Sequence, residues 1–164
     1  MKPLFVALLA LLGSAQAATF KSKAYPYTLM VPDDWQSKKV PGVDVALAAP
    51  SSAGSVPASL NVAVTQVDPA LKVTLSDLRA LTLKQASEAL KNPQLLGEAD
   101  VKVGGQPGHV LNYLGSEEGV PMHWIQVFTL KGNLAYVLTF ATPQASFEQD
   151  KKLANQILNS FKIN

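Results

Sequence analysis

Three segments in the C-terminal half, His109 to Leu114, Met122 to Leu130 and Leu134 to Ala141, have strand-forming composition and apolar residues at both odd and even positions. Neighbouring side chains on a strand point to opposite faces, so such a sheet has two greasy sides and must be covered on both. Gly132-Asn133 is a tight-turn pair that sets Lys131 opposite Leu134, Val127 opposite Leu138, Ile125 opposite Phe140 and His123 opposite Thr142. A symmetric turn around Glu118 would place Tyr113 opposite His123 and His109 opposite Val127. One face then carries Leu111, Tyr113, Ile125, Val127, Tyr136, Leu138 and Phe140; the other carries Val110, Leu114, Met122, Trp124, Phe128, Val137 and Ala141. The expected fold class is α+β: an antiparallel sheet sandwiched between helices, an α/β/α sandwich.

The covering helices are visible. Thr74-Leu75-Ser76-Asp77 has the spacing of a reciprocal N-terminal cap. After it, Leu78, Leu81, Gln85 and Ala89, with Leu75, Thr82, Ala86 and Leu90, recur at helical spacing until Lys91-Asn92-Pro93 stops the pattern. A second helix is expected to begin near Thr142-Pro143, proline being tolerated at a first helical position. Its buried face would hold Phe147, Leu153 or Ala154, Ile157, Leu158 and Phe161. Further strands read as Phe20 to Ala24, Tyr27 to Val31, Val43 to Ala48, Ser59 to Val67 and Glu98 to Val103, with a composition-defined loop from Ala49 to Pro57.

The first residues pair one charge, Lys2, with nine consecutive apolar residues, Leu4 to Leu12, and end small-x-small at Ala15-Gln16-Ala17. This is the pattern of a secretory signal peptide over 1–17, with a single domain over 18–164. The run falls short of the roughly 20 apolar residues of a spanning helix. The expected destination is periplasmic or secreted, with no stable membrane anchor after cleavage. With no cysteine in the chain there is neither disulfide nor thiolate metal site, so the core must stand unaided. Without Lys2, 13 basic residues face 12 acidic ones, too even a balance for a nucleic-acid partner.

No catalytic constellation stands out. The two histidines belong to no metal-binding motif; on the register above they share a face about 13–14 Å apart, too far for one ion. Gly115-Ser116-Glu117-Glu118-Gly119 has the wrong spacing for a nucleophile elbow and reads as a hairpin turn. Gly104-Gly105-Gln106-Pro107-Gly108 precedes a strand rather than a helix, so it lacks the N-terminal donors that hold phosphate. Asp33-Asp34 and Glu117-Glu118 read as solvated turn charges. The chain therefore reads as non-catalytic, with no cofactor. Trp124 reads as core. Trp35 reads as a cap on the sheet edge or as an exposed binding anchor.

Tyr27-Thr28-Leu29-Met30-Val31-Pro32-Asp33-Asp34-Trp35 resembles the strand–proline–turn–tryptophan opening of the PsbP-like/Mog-type fold family. Gly105-Gln106-Pro107-Gly108-His109-Val110-Leu111-Asn112-Tyr113 is similar to its hairpin. Leu134 to Phe140 and Ser160-Phe161 resemble its last strand and helix end. The pieces occur in order over nearly the whole chain after residue 17. The resemblance implies the α/β/α sandwich and a scaffold of binding and assembly proteins, among them bacterial exported proteins of the DcrB type. The expected function is a binding or assembly module contacting an unknown envelope protein through Trp35, the loop bearing Ser52 and Gly54, and the turn at Glu117 and Glu118. The alternative is a carrier of a small apolar ligand between sheet and helix, in a cavity lined by Leu111, Tyr113 and Phe140.

Overall fold

The computed structural model describes residues 16–164; the apolar run Leu4 to Leu12 and nearly all of the expected signal peptide lie outside the described residues. Among the described residues, ten strands and two α-helices make a mixed α+β fold. The larger sheet has seven antiparallel strands in the order β3 (Gln36–Lys38), β4 (Val45–Ala48), β5 (Ser59–Gln66), β9 (Leu134–Pro143), β8 (Val120–Lys131), β7 (Gln106–Glu117) and β6 (Lys91–Val103). The smaller places β2 (Tyr27–Pro32) between β1 (Ala17–Lys21) and the two-residue β10 (Lys162–Ile163).

Helix α1 (Leu75–Ala89) starts as its sequence dictates: the Thr74 hydroxyl accepts the Asp77 N–H and the Asp77 carboxylate accepts the Thr74 N–H at 2.8 Å. It buries Leu78, Thr82 and Ala86 against Leu111, Tyr113, Trp124 and Phe128, while Leu81 stays half exposed. Helix α2 (Phe147–Ser160) buries Ala154, Ile157 and Leu158 on the opposite side, with Val127, Leu138 and Phe140. Tyr27, Leu29 and Val31 of β2 share that second core. Where the sequence suggested helix alone, one helix and a small sheet divide the cover.

The β8–β9 register is the expected one, Lys131 opposite Leu134 and Ile125 opposite Phe140. The β7–β8 register is not. Glu117 pairs Val120, so the turn holds two residues, Glu118 and Gly119, both at positive φ (49° and 84°), as a tight hairpin of this hand requires. Tyr113 therefore lies opposite Trp124, not His123, and His109 opposite Phe128, not Val127. A one-residue slip turns a strand over. Leu111 and Tyr113 go to the α1 face, Val110 to the α2 face, and the two histidines to opposite faces.

Other boundaries moved for identifiable reasons. The first strand is Ala17–Lys21, because the segment after Lys21 bends back on the Ser22 hydroxyl, which accepts the N–H groups of Ala24 and Tyr25. Pro143 ends β9 instead of opening a helix, and a 3-10 turn over Gln144–Ser146 intervenes before α2. β6 begins at Lys91, earlier than Glu98, by way of two irregularities that re-set its register against β7.

Candidate functional site

β2 changes neighbours halfway along. β10 pairs only with Tyr27 and Thr28, and beyond them the Met30 N–H donates to the Ser160 hydroxyl of α2 at 2.8 Å. Past that point the strand runs beside a helix that cannot continue the ladder, and an open groove of about 660 Å³ forms there. Met30, Pro32 and Trp35 line one side, Leu153 and Ile157 of α2 another, and Pro50 closes the end. Asp34 is the one charged residue among the described residues of the lining. Met30 is 48% exposed, a large apolar side chain turned out of a strand whose alternate residues Tyr27, Leu29 and Val31 point inward.

Trp35 closes the core and also faces the groove. Its ring lies 6.2 Å from that of Phe140, closing the core, and its remaining surface forms groove wall. Ser52 and Gly54 are exposed in the loop between β4 and β5, whose base is pinned where the Ala49 N–H donates to Ala58 O at 2.9 Å. Ala49 and Pro50, at the start of that loop, line the groove. Trp35 and the loop base thus come together. Glu117 and Glu118 do not join them: they are exposed on the β7–β8 hairpin, and β7 is three strands from β5. Leu153 and Ile157 were missed as groove residues because an apolar helix stripe looks the same whether it meets core or cavity. The outward Met30 was the sequence signal available.

Leu111 and Phe140, expected to line one carrier cavity with Tyr113, are fully buried in different cores, Leu111 under α1 and Phe140 under α2. No single cavity can hold all three, because the sheet stands between them.

Tyr27 donates to the Asp44 carboxylate at 2.5 Å; burial first, then that bond, pushes its phenol upward. His123 stacks on Phe147 and contacts Asn112, and burial lowers its pKa. His109, on the other face, sits between Asp100 and Glu98, and Glu98 also takes a two-pronged contact from Arg79 of α1 at 2.5 and 2.6 Å. The Arg79 and His109 bonds hold the Glu98 carboxyl down at about 2. Among the described residues no helix is long and apolar enough to cross a membrane.

Solved structures share this architecture. The cyanobacterial PsbP protein CyanoP of Synechocystis sp. PCC 6803 superposes with a TM-score of 0.70 at 20% identity, over 93% of this chain and 95% of that one. The Ran-binding protein Mog1p of Saccharomyces cerevisiae gives 0.64 at 12% identity, over 92% and 96%. LpqN of Mycobacterium tuberculosis, described as involved in cell envelope biogenesis, gives 0.57 at 18% identity, over 91% of each chain. These likenesses establish the PsbP/Mog-like fold and no more. No curated protein sequence matches the chain. The DcrB family model matches residues 27–160, from the first residue of β2 to the last of α2, and the chain belongs to the DcrB family.

Proposed function

We infer that the chain is a non-catalytic exported module, cleaved after Ala17 and resident in the cell envelope, that docks another envelope protein at the groove beside Trp35. The layers are read as an α/β/α sandwich whose second cover is shared by α2 and the small sheet. The groove carries the reading: an open apolar concavity between a strand end, a helix and a loop base, with a half-buried tryptophan in its wall. Tryptophan in a desolvated pocket is the commonest kind of binding anchor. Among the described residues Asp34 is the only ionisable group in the lining, whereas acid–base catalysis needs groups whose environments set them apart. The envelope role of LpqN and the secretory pattern of residues 1–17 support the location.

Photocrosslinking in intact cells tests it. A crosslinker at position 30 or 50 is expected to capture one discrete protein adduct that Trp35→Ala abolishes, while position 118 captures none. Equal capture at all positions, or none, would retire the docking reading. A second reading, carriage of a small apolar ligand, is favoured by the groove's size, which falls within the usual range of about 300–1,000 Å³. Native mass spectrometry would show it as a co-purifying mass that Leu153→Trp displaces.

A further inference from the structure

A second groove, of about 600 Å³, is lined from the far end of β1, by Phe20 and Lys21. Four lysines line it from two chain segments: Lys21 and Lys23 at the end of β1 and just beyond, Lys38 and Lys39 at the end of β3 and just beyond. All four are exposed, and none is paired with a carboxylate among the described residues. The one acid among the described residues of the lining, Asp44, already accepts the Tyr27 hydroxyl. The remaining described chain holds nine basic against eleven acidic side chains, so the small positive excess is concentrated here. In sequence the lysines form one spaced and one adjacent pair, fifteen residues apart, that read as nothing; the fold alone makes them a patch.

Two further features define what would fit. Phe20, Val43 and Val45 add apolar side chains to the same lining. β1 and β3 are both terminal strands of their sheets among the described residues, so the outer edge of each is without a strand partner there. A small anion would leave the apolar surface and the strand edges unused. A flat lipid headgroup layer would not enter a concave groove. An extended peptide with carboxylates on one side and apolar side chains on the other uses all three.

We propose that the lysine-lined groove binds an extended acidic segment of a partner protein, which adds as a strand to the β3 edge and sets its carboxylates against Lys21, Lys23, Lys38 and Lys39. Strand addition draws affinity from backbone bonds and specificity from alternate side chains. The positive rim steers an acidic chain in and holds a second copy of this edge away, since like charges would face each other. This site is separate from the groove at Trp35, and neither proposal needs the other.

The test uses a fluorescein-labelled seven-residue peptide of alternating glutamate and valine, with binding read by anisotropy at about 20 mM salt, where screening is weak. Saturable binding is expected, with amide shifts confined to β1, β3 and β4. The exchange Lys38→Glu with Lys39→Glu should weaken it at least tenfold, and Lys38→Gln with Lys39→Gln by a smaller factor. Unchanged thermal unfolding of both variants would show the fold intact. Methylating alternate backbone nitrogens of the peptide should abolish binding, because it removes the donors that strand pairing needs. Equal binding by the methylated peptide, indifference to the lysine exchanges, or no binding at all would overturn the proposal. So would lysine-dependent binding to vesicles of phosphatidylglycerol without any to the peptide, which would make the patch a membrane-facing one.

Discussion

The Tyr113 ring lies against Trp124 across the β7–β8 ladder, centroids 5.6 Å apart and planes 11° from parallel. The pair exists only because the hairpin closes at Glu118-Gly119. With Tyr113 opposite His123, the two rings would sit on different faces. Stacked aromatic pairs are worth about 0.5–1.5 kcal/mol beyond the area they bury. A double-mutant cycle with Tyr113→Leu and Trp124→Leu is therefore expected to show a coupling of that size by urea unfolding. The cycle cancels the separate loss of the Tyr113 hydroxyl bond to Gln126 at 2.9 Å. A coupling near zero would mean that the register is fixed by the turn alone.

That same hairpin marks how far the sequence could be read. Apolar residues on both strand faces announced two cores, and the Gly132-Asn133 turn gave the β8–β9 register residue by residue. The Glu118-Gly119 turn was opaque, because it needs a glutamate at φ 49° and nothing in the composition marks that residue for a conformation glycine and asparagine adopt more readily. The short strands β3 and β10 were unreadable for another reason. Gln36-Ser37-Lys38 is exposed throughout and Lys162-Ile163 has two residues, so neither has a buried alternation to betray it. Trp35 was legible as a candidate because it is a large aromatic after a turn; its groove partners on α2 come from more than a hundred residues away.

Gly108 is a residue whose need for bareness comes from space and not from dihedral angle. A Cβ there would stand 2.6 Å from the Phe128 carbonyl oxygen and 2.6 Å from a methyl of Val103, at the point where β7 passes between its two neighbours. The side-chain methyl can move; the carbonyl belongs to the ladder and cannot. Gly108→Ala should cost about 1–3 kcal/mol, the range for overpacking a tight site. Adding Val103→Ala should recover only part of it, and full recovery would show that the backbone contact is harmless.

Tyr136 is fully buried with its ring among Tyr27 and Phe161, and its hydroxyl has no hydrogen-bond partner among the described residues. An unmet buried hydroxyl costs on the order of 1–3 kcal/mol, while the ring itself fills core. Tyr136→Phe is expected to raise unfolding stability by about 1 kcal/mol, and Tyr136→Leu to lower it through the cavity left behind. A loss on going to phenylalanine would reveal a buried water held by the hydroxyl.

The two histidines should bend the pH dependence of stability in opposite directions. His109 has Nδ1 2.8 Å from Asp100 and Nε2 3.1 Å from Glu98, both on β6, with Arg79 of α1 behind Glu98 and the Phe128 ring of β8 beneath. A neutral imidazole has one N–H, so both contacts are hydrogen bonds only when the ring is protonated. Burial pulls its pKa down, but the bonds to Asp100 and Glu98 outweigh that and raise it above the usual 6.5. Its contribution is then complete below about 6.5 and is lost as pH rises through the folded value. His123 is packed on Phe147 beside Asn112 of β7; burial lowers its pKa, and the nearby Glu148 of α2 only partly offsets this. Its contribution is complete above about 6.5 and is lost as pH falls toward the folded value, because the unfolded chain then binds the proton more readily. Urea unfolding of His109→Gln and His123→Gln between about pH 5 and 8 should show this directly. The stability gap between parent and His109→Gln narrows as pH rises across that window, and the gap for His123→Gln widens. Gaps that slope the same way would mean that one of the two rings carries a different charge in the folded protein.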